Sequence, residues 1–164
     1  MGKVKYKVFL DTNVLLDVLC PDNRPSSGAS RIIFQAAYSG LMEAVITTQS
    51  ILDAAYILSR VNDHFDREAF GRCIMSMMDF MTVDPIHIFD IRDAILRPRK
   101  GLEDDAQAEH AQAEGCDAII TSDRDFLRRN DGSGILFFSP EEFVERMRSS
   151  CQPYHSLKAE SQRV

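Results

Sequence analysis

Residues 4–16, which decide the fold, have the sequence VKYKVFLDTNVLL. The first seven of them are mostly apolar or β-favouring, which predicts a strand from Val4 to Leu10. Asp11, Thr12 and Asn13 are residue types that cap helices and form turns, and the apolar run after them is predicted to be a short helix. A strand that leads directly into a helix is the first unit of an α/β protein.

The same alternation continues to the end of the chain. Further strands are predicted at residues 43–47, near 83, at 118–121 and at 135–138. Apolar residues at helical spacing predict helices at 29–38, 51–61, 67–81, 88–96, 103–114 and 140–147. The sequence therefore predicts an α/β protein, a three-layer α/β/α sandwich with a central, mainly parallel sheet. We expect one domain over residues 1–148 and a polar C-terminal tail over 149–164.

The composition is that of a globular protein, with 45% hydrophobic and 27% charged residues among 164. No stretch reaches the roughly 20 apolar residues needed to cross a bilayer, and the four cysteines form no metal-binding or disulfide pattern. A cytoplasmic protein without membrane attachment is expected. The four histidines are scattered, so they are predicted to be surface or cap residues without a ligand role.

The net charge of −6 is unusual for a protein that binds nucleic acid. A pocket of carboxylates that binds divalent cations nevertheless presents a neutral or positive surface once it is loaded. The overall charge therefore does not exclude a nucleic-acid substrate.

Four aspartates are predicted to meet at one edge of the sheet. Asp11 directly follows the first strand, and Asp123 lies two residues beyond the strand that ends at Thr121. Asp53 lies in the first turns of the helix after the second strand, and Asp104 opens the helix before the fourth. Because ligands of an open parallel sheet bind at the carboxyl ends of its strands, these side chains should lie close together. Each of them alone could instead cap a helix or form a turn.

Clustered carboxylates need a cation. Two like charges about 4 Å apart repel by about 4 kcal/mol at an effective dielectric constant of about 20, so the groups must protonate or bind a positive ion. Ligation by oxygen alone suits Mg²⁺ or Mn²⁺. Four carboxylates would balance the charge of two such ions, an arrangement that permits hydrolysis of a phosphodiester.

Two segments resemble the opening and closing motifs of PIN-domain proteins. The first is residues 8–17, VFLDTNVLLD, and the second is residues 115–126, GCDAIITSDRDF. Between them, residues 47–53 and 102–106, TTQSILD and LEDDA, resemble the segments that carry the second and third acidic residues of that family. The resemblance covers residues 4 to 145.

This resemblance implies a metal-dependent endoribonuclease that acts on RNA. Such proteins are often the toxin of a VapC-type toxin–antitoxin pair, are commonly homodimers and are inhibited by a small antitoxin protein. By position, the resemblance implies that the catalytic, metal-binding residues are Asp11, Asp53, Asp104 and Asp123. The hydrogen-bonding side chains around them would be Asn13, Thr121, Asp125 and Glu103.

Two positions depart from the family pattern. Asp53 stands where many relatives have glutamate, so its carboxylate has a shorter reach. Gly101 stands where close relatives often begin the third motif with aspartate. The choice of Asp104 over Glu103 or Asp105 as the third ligand therefore stays open.

A basic run precedes the third acidic segment. Arg97, Arg99 and Lys100 are candidates for contacts with RNA phosphates. A solvated helix end is the alternative interpretation of the same residues.

Two other functions compete with the nuclease. The domain could be a catalytically silent PIN-like module that binds RNA or acts as a scaffold, although all four acidic positions are filled. An aspartyl-phosphate phosphatase also has an aspartate after its first strand, but it needs a second aspartate two residues later, where this chain has Asn13.

Overall fold

The computed structural model describes residues 6–22, 24–96, 101–128 and 134–151. Within them, five strands alternate with eight helices. The strands are β1 (Lys7–Leu10), β2 (Glu43–Thr47), β3 (Thr82–Asp84), β4 (Ala118–Ile120) and β5 (Leu136–Phe138). The helices are α1 (Thr12–Leu19), α2 (Ser27–Tyr38), α3 (Thr48–Val61), α4 (Arg67–Met78), α5 (Ile88–Ile95), α6 (Leu102–Ala113), α7 (Arg124–Leu127) and α8 (Pro140–Cys151).

All five strands are parallel and form one sheet in the order β3-β2-β1-β4-β5. The chain starts in the middle of the sheet, and β2 and β4 pair with β1 on either side. Leu10 at the end of β1 is in register with Ile120 at the end of β4. Asp11 and Thr121, the residues that follow, therefore leave the sheet side by side.

The side chains of β1 alternate between the two faces of the sheet, as the pleat of a strand requires. Val8 and Leu10 belong to the larger apolar cluster, which includes buried residues of α1, α2, α3, α4 and α8. Phe9 belongs to a second cluster with Ala111 of α6 and Phe126 of α7. Helices thus cover both faces, and the predicted three-layer α/β/α architecture is confirmed.

Element boundaries differ from the predictions in several places. Helix α3 starts at Thr48, because the side chain of Thr47 already accepts a hydrogen bond from the backbone N–H of Ser50. Helix α4 ends at Met78 rather than Met81. No helix was predicted between residues 121 and 135, where the structure has the one-turn helix α7.

Helix α8 continues to Cys151, beyond the predicted end at 147. The rest of the predicted tail, residues 152–164, lies outside the described residues. In the part of the chain that the structure describes, no helix is both long and apolar enough to span a bilayer.

Candidate functional site

Asp11 is fixed at the centre of the site by the backbone and by three hydrogen bonds to its carboxylate. Its backbone N–H donates to the carbonyl of Ile120, 3.0 Å away, so the residue is held against the end of β4. One carboxylate oxygen accepts from the backbone N–H of Thr12 at 2.6 Å. The other accepts from the hydroxyl of Thr121 at 2.7 Å and from the amide of Asn13 at 3.3 Å. The sequence-predicted roles of Asn13 and Thr121 around this carboxylate agree with these contacts.

Thr121 also connects Asp11 to Asp123. The Thr121 hydroxyl accepts a hydrogen bond from the backbone N–H of Asp123 at 3.0 Å while it donates to Asp11. One oxygen of the exposed Asp123 carboxylate accepts from the N–H groups of Asp125 and Phe126 and so caps α7. Asp123 is therefore both a helix cap and a neighbour of the site, two roles that the sequence alone offered as alternatives.

Asp53 lies in the second turn of α3 and is half-buried. Its carboxylate accepts a hydrogen bond of 2.7 Å from the side-chain amide of Gln49, one helical turn earlier. Sequence reasoning gave Gln49 no role. The predicted helix began at residue 51, so Gln49 lay outside it and its contact with Asp53 one turn later was not predicted.

Helix α6 brings its first turn to the same place. It begins after Gly101, which has a φ of 101° and provides no side-chain cap. This left-handed conformation favours glycine, which accounts for the departure from the family pattern at this position. Glu103, Asp104 and Asp105 follow in the first turn, where the helix dipole favours negative charge.

Electrostatic coupling shows which carboxylates share the site. Partial desolvation raises the pKa of the Glu103 carboxyl, although the side chain is exposed on one side, and the charges of Asp53, Asp104 and Asp11 raise it further. Burial likewise raises the pKa of Asp11, against the lowering effect of its hydrogen bonds, and Asp104 adds to the rise. Three predicted aspartates, Asp11, Asp53 and Asp104, thus lie together with Glu103.

Other predicted residues lie differently. The Asp125 side chain is exposed and pairs with Arg128 at 3.5 Å, so only its backbone N–H reaches towards the site. Asp105 is 2% exposed, in contrast to the exposed Glu103 beside it. Arg97, Arg99 and Lys100 lie outside the described residues. Among those that are described, no three carboxylate, imidazole or thiol groups already stand in a geometry that would hold a metal ion.

An ion pair between Asp17 and Arg24 contacts the segment that carries Asn13, and it was not predicted from the sequence. Asp17 is 3% exposed and accepts from the guanidinium of Arg24 at 2.7 Å and from the hydroxyl of Ser30 at 2.8 Å. The same guanidinium donates to the backbone carbonyl of Asn13 at 3.2 Å. Arg24 therefore ties the loop before α2 to the residue whose amide contacts Asp11.

His110 corrects the prediction that the histidines are surface or cap residues. It is fully buried, and its Nδ1 lies 3.0 Å from the carboxylate of Asp90. The same carboxylate oxygen accepts a hydrogen bond from the backbone N–H of His87. His87 is the N-cap of α5, so for this histidine the prediction of a cap residue agrees with the structure. This contact joins α5 to α6, the helix that carries Glu103 and Asp104.

Residues 7–125 match the sequence model of the PIN domain. The chain belongs to the PIN-domain family. The prediction made from the two terminal motifs is thereby confirmed, and the matched segment contains all four predicted acidic residues. In this PIN domain Asp11 and Asp123 follow the carboxyl ends of β1 and β4.

Known proteins agree with this assignment. Ribonuclease VapC1 of Aquifex aeolicus is 25% identical over 145 residues, which is 85% of this chain and 94% of that protein. VapC20 of Mycobacterium tuberculosis, described as a toxin that cleaves the sarcin–ricin loop, has a TM-score of 0.57 at 14% identity over 73% of this chain and 92% of its own. PAE2754 of Pyrobaculum aerophilum has a TM-score of 0.59 at 17% identity over 90% and 99%. The two structures show that the PIN fold is shared.

Proposed function

We propose that this PIN domain is a ribonuclease that hydrolyses RNA phosphodiester bonds with the help of Mg²⁺ or Mn²⁺. The observation that carries the proposal is the convergence of Asp11, Asp53, Asp104 and Glu103, where burial and neighbouring carboxylate charges raise the pKa values of Asp11 and Glu103. The curated relative of Aquifex aeolicus, which matches nearly the whole PIN domain, is named as a ribonuclease.

The donor set fits a hard dication. Carboxylate oxygens are the ligands that Mg²⁺ and Mn²⁺ prefer, and a bound cation would relieve the repulsion that raises the pKa values of Asp11 and Glu103. We assign the binding of the ion to Asp11, Asp53 and Asp104, with Asp123 beside them, either directly or through water. When bound, the ion would stabilise negative charge on the scissile phosphate and favour ionisation of the attacking water.

The chain's own contribution is to hold these carboxylates in place. Thr121 and Asn13 donate to the same oxygen of Asp11, and the N–H of Thr12 occupies the other. A carboxylate fixed by three donors keeps its orientation before the substrate arrives. Gln49 has the same effect on Asp53 through its 2.7 Å hydrogen bond. At the third acidic position, both Asp104 and Glu103 contribute negative charge to the site. We infer that Asp105 has a structural role because it is buried.

The proposed partners are a small antitoxin protein and a second copy of the chain. VapC-type ribonucleases are toxins inhibited by a small antitoxin, and we extend that role, a homodimeric state and a cytoplasmic location to this chain. Leu52 and Tyr56, one turn apart on α3, are 64% and 61% exposed, which supports a protein partner on this helix. The mass of the full chain in solution, measured by light scattering, tests the dimer.

The decisive experiment compares RNA cleavage by wild type and by Asp11→Asn on a panel of structured and single-stranded RNAs, with Mg²⁺, Mn²⁺ or EDTA. We expect EDTA to abolish cleavage and Asp11→Asn to reduce it by more than the roughly 10–100-fold lost with an outer hydrogen-bonding partner. Asp66→Asn is the matched control, because Asp66 is an exposed cap of α4 and asparagine also caps well. Equal cleavage by all three proteins would overturn the proposal, and RNA binding without cleavage would favour the silent module.

A further inference from the structure

A cavity of about 450 Å³ adjoins the acidic site, and the proposed nuclease does not yet use it. It lies between the start of α3, the first turn of α5 with the segment before it, and the first turns of α6. The residues that line it are Thr48, Gln49, Ile86, Ile91, Leu102, Glu103 and Ala106. Its size is that of a small-molecule site.

The cavity is continuous with the site through two side chains. Glu103 lines the cavity, and its charge interacts with those of Asp11, Asp53 and Asp104. Gln49 lines the cavity as well, and its amide donates to Asp53. A polymer whose phosphate lies against the acidic residues would therefore have its neighbouring groups at the mouth of this cavity.

The chemistry of the lining selects the part of a nucleotide that can enter. The walls are aliphatic, from Ile86, Ile91, Leu102 and Ala106, which suits the faces of a flat ring better than a ribose with its hydroxyl groups. Among the described lining residues, none is cationic and one, Glu103, is an acid. These described lining residues therefore favour a neutral base over a phosphate.

The polar groups at the cavity are mainly acceptors. The Gln49 side-chain amide donates to Asp53 through one N–H, which leaves its carbonyl oxygen to accept and its second N–H to donate. The Glu103 carboxylate has acceptor oxygens, and the Thr48 hydroxyl can donate or accept. Exocyclic amino groups, which adenine, cytosine and guanine carry and uracil lacks, are the complementary donors.

We propose that this cavity binds one base of the RNA substrate and prefers a base with an exocyclic amino group. The proposal rests on the proposed nuclease function, since it names the substrate group next to the cleaved phosphate. In this proposal, the surface formed by α5 and α6 is the part of the domain that selects the RNA sequence.

Nucleotide binding tests the proposal without any cleavage step. The full chain, with methyl groups of isoleucine, leucine and alanine labelled for NMR, is titrated with AMP, GMP, CMP, UMP and ribose 5-phosphate. We expect shifts of the Ile86, Ile91, Leu102 and Ala106 methyl signals with at least one amino-bearing nucleotide, weaker shifts with UMP, and none with ribose 5-phosphate. Equal shifts with ribose 5-phosphate, or the strongest shifts with UMP, would overturn the proposal.

Two variants of α5 make the test specific. Ile91→Phe fills the cavity from a half-buried lining position, whereas Ile95→Phe makes the same change one turn later at a side chain that is 64% exposed. Ile91→Phe should weaken nucleotide binding by about tenfold or more, the scale of one lost base contact. Ile95→Phe should bind as wild type does, and thermal unfolding shows that both variants are folded. Equal nucleotide binding by the two variants would contradict the assignment of the base to this cavity.

The outcomes also separate this proposal from the nuclease proposal. Base binding at these methyl groups by a chain that cleaves no RNA would support the cavity and overturn the nuclease. RNA cleavage that depends on Asp11, without any nucleotide-induced methyl shifts, would support the nuclease and overturn the base site. The cavity would then be left for a side chain of a protein partner.

Discussion

Replacing Asp11 with asparagine should stabilise the fold while it removes the proposed activity. Asp11 is 6% exposed, and burial raises the pKa of its carboxyl above the ordinary value of 3.8. At neutral pH the folded protein therefore carries the cost of a buried ionised group, which three hydrogen bonds offset only in part. An uncharged amide of the same shape avoids most of that cost.

The expected gain is on the order of 1 kcal/mol. The effective penalty for burying one ion is several kcal/mol, most of which the three hydrogen bonds to the carboxylate offset. Asparagine keeps an oxygen for the N–H of Thr12, but its amide N–H₂ would face the Asn13 amide and the Thr121 hydroxyl, which removes part of the benefit. In a domain of this size, 1 kcal/mol shifts the Tm by about 2–4 °C.

The pH dependence has a definite sign. Because the pKa of Asp11 is raised in the folded state, the neutral carboxyl contributes stability that is fully present below the unfolded pKa, near 3.8, and is lost as the pH rises through the folded pKa. The advantage of Asp11→Asn should therefore be largest near neutral pH and should shrink as the pH is lowered towards about 4.

Asp17→Asn is the matched control, because it changes an aspartate of similar burial in α1, the helix that Asp11 caps. Arg24 and Ser30 contact the Asp17 carboxylate at 2.7 and 2.8 Å. Its replacement leaves the partly buried guanidinium without its charged partner, which should destabilise the fold by about 1–3 kcal/mol. The two substitutions should thus shift the Tm in opposite directions.

Thermal unfolding followed by circular dichroism measures both effects, first in EDTA and then with added Mn²⁺. A ligand at about 100 times its Kd stabilises the folded state by about 2.7 kcal/mol, so Mn²⁺ should raise the Tm of wild type and leave that of Asp11→Asn nearly unchanged. If Asp11→Asn melts below wild type in EDTA, as Asp17→Asn should, then Asp11 is not the strained, cation-requiring carboxylate described above.

Further substitutions at Thr121, Glu103 and Asp105 separate the roles of neighbouring residues. Thr121→Val, which removes the donor to Asp11, should lower RNA cleavage by roughly 10–100-fold in steady-state kinetics, while Thr121→Ser should keep most of the activity. Glu103→Gln should weaken Mn²⁺ binding measured by calorimetry, because its charge interacts with those of the other acidic residues. The buried neighbour Asp105 should give the contrasting result, because Asp105→Asn should change the Tm and leave the Mn²⁺ affinity as in wild type. If instead Asp105→Asn weakens Mn²⁺ binding and Glu103→Gln does not, the third ligand is Asp105.

The half of the site built on the sheet could be predicted from the sequence. A buried parallel strand reads as a continuous apolar run, so the residue that ends it is easily recognised. Asp11 and Thr121 follow such runs, and the parallel register of β1 and β4 places them side by side without further information. The match to the PIN domain family confirms the family that these two motifs indicated.

The half built on helix α6 could not be predicted to the same detail. Successive residues of a helix point about 100° apart, so the choice among Glu103, Asp104 and Asp105 depends on how the helix is rotated against the sheet. That rotation is usually read from the apolar stripe. Here the buried face includes the polar residues Gln107 and His110, so the stripe is obscured. The cavity was missed because its apolar walls come from separate segments and look like ordinary core residues.

Asp11 and the cavity that we propose to bind a base lie in different parts of the fold. Asp11 is held by backbone and side-chain groups at the ends of adjacent central strands, where any shift would disturb the sheet itself. The cavity depends on the packing of α5 against α6, which the fully buried contact of His110 with Asp90 holds together. Because α5 lies outside the sheet, its side chains in the cavity, such as Ile91, can change without moving Asp11, whereas α6 also carries Asp104 of the proposed metal site. A PIN domain of this construction could therefore acquire a new RNA sequence preference while its phosphodiester-cleaving centre stays the same.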